Sequence, residues 1–158
     1  MIKAVIVLNQ KGKVRLQRFY EEEAFQSLGF SKEQIFDEIY QSISAKSHQA
    51  QHQQQSQTSI FKDESVSLSY ANFISDCETL PSDCKLVFRT YASLTIVFVI
   101  DQEESELAIL DLIQVFVEIL DSQFSNVCEV DLVFNPHKLG YVLDELIVDG
   151  MVCETDIR

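Results

Sequence analysis

The chain opens on a nearly continuous apolar run, "AVIVL" at 4–8, and after "NQKG" resumes as Val14, Arg15, Leu16, Gln17, alternating apolar with polar. Two short β-branched runs joined by a turn containing Gly predict a β-hairpin. With Val14 and Leu16 turned to the core, Lys13, Arg15 and Gln17 fall on the other side of the pleat. Residues 21–28 predict a helical turn before Gly29. Ser31 and Gln34 then stand at capping-box spacing, and Ile35, Phe36, Ile39, Tyr40 and Ile43 recur on one helical face. An amphipathic helix is expected there, ending near Ala45. The Gln- and Ser-rich stretch that follows has almost nothing to bury and cannot offset its ordering entropy, so a low-complexity mobile loop is expected at about 45–71.

Beyond it, "KLVFRTYA" and "SLTIVFVI" predict two strands, with a weaker one near "YANFISD". The second is apolar on both faces, which places it at the centre of a sheet. Residues 103–124 give the clearest helix, opened by the acidic "EES". Its polar positions 111, 114, 118 and 121 form one narrow stripe, and nearly everything else is apolar. A helix apolar around most of its girth is buried on more than one side. One side suits the sheet; the other needs more of this chain or a partner. A shorter amphipathic element follows in "SNVCEVDLVF". Asn135 then offers an N-cap before Pro136, opening a helix that is expected to run to Asp149 and stop at Gly150. An antiparallel sheet with helices packed on it makes an α+β fold, in a single domain over 1–158.

Composition narrows the function. The 158 residues are 46% apolar, enough for one well-formed core, and carry a net charge of −13. Five of the twelve Lys and Arg (Lys3, Lys11, Lys13, Arg15 and Arg18) fall in the first eighteen residues. A solvated hairpin face accounts for that clustering on chemistry alone, and an anion-reading surface is the sharper alternative. No continuous basic stripe is present, which argues against a nucleic-acid partner. The four cysteines show neither a C-x-x-C pair nor metal-ligand spacing, as expected of free thiols in a reducing compartment. "AVIVL" is shorter than a signal-peptide core, and the apolar stretch 107–120 carries Asp111 and Glu118, a poor membrane span.

Catalytic chemistry is not apparent. There is no Gly-rich phosphate loop and no nucleophile elbow. His48 and His52 have helical i, i+4 spacing, but no Glu or Cys supports them as metal ligands. His137 stands alone on a helical first turn. The expectation is a protein without cofactor, metal or enzymatic activity.

The start "MIKAVIVLNQKGKVRLQRFY", the block "RTYASL" and the run "ESELAILDLIQVFVEILDSQFSNVCEVDLVFN" through "GMVCET" resemble the small (sigma) subunits of heterotetrameric clathrin-adaptor complexes. "ESELAILDLIQVFVEILD" with "DGMVCET" is most similar to the sigma branch of adaptor protein complex 3. The resemblance implies a longin-like domain with a five-stranded antiparallel sheet flanked by helices. It also implies a delta-type large adaptin that cradles this subunit, within a tetramer completed by a beta-type and a medium (mu) chain. The complex would sit peripherally on Golgi or endosomal membranes and sort cargo towards lysosomes or vacuoles. In this family the small subunit helps bind acidic dileucine signals, an Asp or Glu followed after three residues by Leu-Leu or Leu-Ile. Carried over position by position, the leucine pocket falls on Ala92, Leu94, Val117, Asn126, Val127, Val130 and Leu132, and Arg15 falls on the contact to the signal's acid. Without the resemblance, those apolar residues read as plain core. The Gln-rich segment is longer than the family usually has there, and the resemblance gives it no role. Another coat small chain, including the coatomer zeta type, is the near alternative. A longin regulatory domain of a SNARE or tethering factor is the more distant one.

Overall fold

The computed structural model describes residues 1–56, 73–75, 77–91, 93–124 and 129–152, without the side chains of 50–56. Strands β1 (Ile2–Asn9) and β2 (Val14–Phe19) form the expected hairpin. Helices α1 (Glu22–Gln26) and α2 (Lys32–Ser56) follow. Next come β3 (Phe73–Ile74), β4 (Cys84–Tyr91), β5 (Leu94–Asp101) and helix α3 (Glu106–Phe124). Two short helices, α4 (Glu129–Phe134) and α5 (Pro136–Leu146), lead to a small hairpin of β6 (Ile147–Val148) and β7 (Met151–Val152).

The five main strands make one antiparallel sheet in the order β2-β1-β5-β4-β3. β5 is central, as its two apolar faces require. Ile96, Phe98 and Ile100 point to one face and Val97 and Val99 to the other. The first face is covered by α3, α4 and α5, and the second by α1 and α2. This is an α+β fold with helices on both sides of the sheet.

Four sequence expectations change in detail. First, the hairpin is not in simple phase. Val7 pairs with Leu16 and Leu8 with Val14, leaving Arg15 as the extra residue of a β-bulge. Leu16 therefore packs in the core under α3, and Val14 packs on the opposite face beside Leu8. Second, α2 does not end near Ala45 but continues to Ser56. The apolar spacing in the sequence stops at Ile43, yet Lys, Gln and Ala are good helix formers and carry the backbone on. The remainder of the expected loop, 57–71, lies outside the described residues, as does the side chain of His52.

Third, α5 ends at Leu146, short of Asp149. Asp149 and Gly150 both take positive φ, 50° and 78°, and form the two-residue turn between β6 and β7. The Gly150 carbonyl accepts the Ile2 N–H at 2.8 Å, so this hairpin is tied to the start of β1. A Cβ at Gly150 would collide with the Ile2 carbonyl. Fourth, Asn135 precedes α5 as expected but does not cap it; its Nδ2 donates back to the Asp131 carbonyl at 3.2 Å. The capping box of α2 forms in full: Gln34 N–H donates to Ser31 Oγ at 3.2 Å, and Ser31 N–H to Gln34 Oε1 at 2.9 Å.

The second side of α3 is partly covered by the chain itself. Leu139, Leu143 and Leu146 of α5 join Phe116 and Leu120 in one core, while Leu107 stays largely exposed.

Candidate functional site

Two features meet where α4 packs against the sheet, an apolar cavity and a charged latch. The cavity encloses about 190 Å³. Val7 and Ile96 come from the sheet, Phe116, Val117 and Leu120 from α3, Leu132 from α4 and Leu139 from α5. Leu94, at the start of β5, lines it too, and Tyr91 and Asp121 add polar atoms. The Tyr91 hydroxyl donates to Gln114 Oε1 at 2.5 Å. An apolar cavity of about 150 Å³ is enough to take benzene, so the volume here is comparable with that of a small apolar group.

Of the expected pocket residues, Leu94, Val117 and Leu132 therefore come together around one space. Each is also nearly inaccessible to water, so core and pocket coincide there. Val130 does not line the cavity: it is 59% exposed on the outer side of α4. Ala92, Asn126 and Val127 lie outside the described residues.

Arg15 does not line the cavity either, but the bulge aims it at α4. Its Nε and Nη2 both donate to Glu129 Oε1, at 2.8 and 2.6 Å. Asn9 Nδ2 donates to the same oxygen at 2.9 Å. Asn9 is buried, and its Oδ1 accepts the backbone N–H groups of Lys11 and Lys13 at 2.9 and 2.8 Å. One side chain thus shapes the hairpin turn and links it to α4. The turn also needs Gly12, whose φ is 81° and whose Cα faces the ring of Tyr40 closely enough that a Cβ would sit 2.7 Å from it.

The Glu129 carboxyl is held below the usual carboxylate range, first by the Asn9 hydrogen bond and then by those from Arg15, with burial opposing and Lys11 adding attraction. Leu132, one turn after Glu129, carries the latch directly to the cavity. Sequence reasoning did not single out Glu129, Asn9, Tyr91 or Asp121. Only the "NQKG" turn marked Asn9 as a structural position.

Burial pushes the Cys84 thiol up to about 12 and the Tyr20 hydroxyl up to about 12. Among the described residues, no three His, Cys, Asp or Glu side chains gather as metal ligands, and no helix is long and apolar enough to cross a membrane.

Comparison with known proteins agrees along the whole chain. The family described as clathrin adaptor complex small chain matches residues 1–158. The AP-3 complex subunit sigma of Dictyostelium discoideum is 35% identical over 99% of this chain and 79% of its own length. The AP-3 complex subunit sigma-2 of Homo sapiens is 40% identical over 100% of this chain and 70% of its own. Among structures, a chain of a homology model of the full-length AP-3 complex in a stretched open conformation superposes with a TM-score of 0.57. It is 34% identical and covers 99% of this chain and 86% of that one. A longin-like sheet, a continuous family match and AP-3 sigma relatives across distant organisms lead to one assignment: the chain belongs to the clathrin adaptor small-chain family, as a small subunit of the AP-3 sigma kind.

Proposed function

We propose that this subunit works without catalysis, as a structural and cargo-binding part of an AP-3-type tetramer with delta-type, beta-type and mu chains. Its cavity receives a leucine of an acidic dileucine signal, and Arg15 meets the signal's acid. The complex acts peripherally on Golgi or endosomal membranes, in transport towards lysosomes or vacuoles. The observation that supports the reading is the convergence of Leu94, Val117 and Leu132 on one apolar space, with Arg15 tied to the helix that bears Leu132. Burying one leucine side chain there contributes about 1.5–3 kcal/mol.

Val117→Phe is the clean test, because it fills the cavity instead of enlarging it. In the assembled complex it is expected to reduce binding of a dileucine peptide more than about tenfold, a loss of 1.4 kcal/mol or more, with the thermal midpoint little changed. A folded variant with unchanged affinity would remove the cavity from cargo binding. Capture of the subunit from cells, followed by mass spectrometry, should recover a delta-type large chain. Recovery of coatomer chains or SNARE partners instead would redirect the assignment.

A further inference from the structure

Before any signal binds, Arg15 is already engaged by a carboxylate of its own chain. The Nε/Nη2 edge of its guanidinium, which suits two-point carboxylate binding, is filled by Glu129 Oε1 at 2.8 and 2.6 Å. Asn9 holds that oxygen in place at 2.9 Å, and both members of the ion pair are partly exposed, with 21% and 27% of their side chains accessible. A ligand carboxylate arriving here meets a neutralised pair, because the Glu129 charge offsets that of Arg15. It must displace Glu129 or share the guanidinium with a like charge, and like charges brought together in a partly dry site repel.

We propose that Glu129 is an internal competitor for the signal's acid and sets how strongly this subunit discriminates acidic from neutral dileucine signals. Because Glu129 opens α4 and Leu132 sits one turn later, displacement also loosens the helix that closes the cavity. Reading the acid and admitting the leucine are then coupled through one helix. The hydrogen bonds from Asn9 and Arg15 favour the ionised form of Glu129, so the competing charge is present at neutral pH. This inference rests on the dileucine reading above.

Glu129→Gln isolates the effect. Gln keeps an oxygen to accept from Arg15 and Asn9, so the geometry is retained while the competing charge is lost. The assembled complex would be titrated with three synthetic peptides, Glu-Ser-Gln-Ser-Leu-Leu, Ala-Ser-Gln-Ser-Leu-Leu and Glu-Ser-Gln-Ser-Ala-Ala. With Glu129→Gln, the affinity ratio of the first peptide to the second is expected to rise roughly three- to fivefold. The second peptide should change little, and Arg15→Ala should erase the gain when combined with Glu129→Gln. A ratio that is unchanged overturns the proposal. A ratio that falls overturns it in favour of Glu129 as a residue that merely positions Arg15. If the wild-type complex binds the first and third peptides equally, no leucine is being read, and the underlying function fails together with the proposal.

Discussion

Lys85 puts a buried ammonium beneath the first turn of α3, where Nζ reaches Glu106 Oε1 at 2.9 Å and the Gln102 carbonyl at 3.4 Å. The hydrogen bond from Lys85 holds the Glu106 carboxyl below its ordinary value, with burial opposing. A carboxylate with a depressed folded-state value stabilises the fold above the ordinary carboxylate range and loses that contribution as pH falls through the depressed value. Glu106→Gln should therefore lower the thermal midpoint at neutral pH by about 2–3 °C. That gap should close below about pH 4. A gap of equal size at pH 7 and pH 3 would show that the pair is not the cause. Neither this pair nor Arg15–Glu129 was legible beforehand. The partners lie 21 and 114 positions apart, and only the docking of a helix on the sheet brings them together.

Elements were legible where a local rule governs them. The Ser31–Gln34 capping box and the one-sided apolar pattern after it mark the start of α2 correctly. Its end was missed because apolar spacing reports burial and not helicity. Between Ser44 and Gln49 no side chain of the helix is fully buried, and Ser47, His48 and Gln49 are exposed. A helical stretch without tertiary support is marginal. Amides of 35–43 should accordingly exchange slowly and those of 47–56 quickly, by hydrogen exchange read at residue resolution. Uniform protection along α2 would mean that something covers its far end. The end of α5 was misplaced for a different reason. Asp149-Gly150 is a hairpin turn signal, but the two-residue strands on either side are too short to show a period.

Across the whole molecule, large exposed apolar side chains gather on the C-terminal elements. Val130, Val133 and Phe134 stand on α4, Tyr141 on α5, and Val148, Met151 and Val152 on the last hairpin. We propose that these side chains contribute to the contact with a large chain. The sequence already pointed to a partner through the girth of α3, but α5 covers part of that helix, and the open surface lies further along the chain. The isolated subunit is expected to self-associate at high concentration, and Phe134→Ser should reduce this. Co-expression with a delta-type large chain should yield a soluble pair in which Phe134 and Tyr141 are shielded from oxidative labelling. A monodisperse monomer at high concentration, or unchanged labelling in the pair, would place the interface elsewhere.

Local pattern in the chain was enough to place the strands of the main sheet and to put β5 at its centre. A period of two, or its absence in "SLTIVFVI", states how many faces of a strand must leave water. The start of α2 was legible for a similar reason, since its capping box is a contact between near neighbours. Tertiary structure alone decided where Arg15 points, because its bulge arises from the pairing of β2 with β1. It also decided that Glu129 meets Arg15, and that Leu94, Val117 and Leu132 enclose space instead of filling it. Periodicity says which side chains are buried. Which others they meet, and how tightly, depends on register and helix docking between segments far apart in the chain, and no local pattern encodes that.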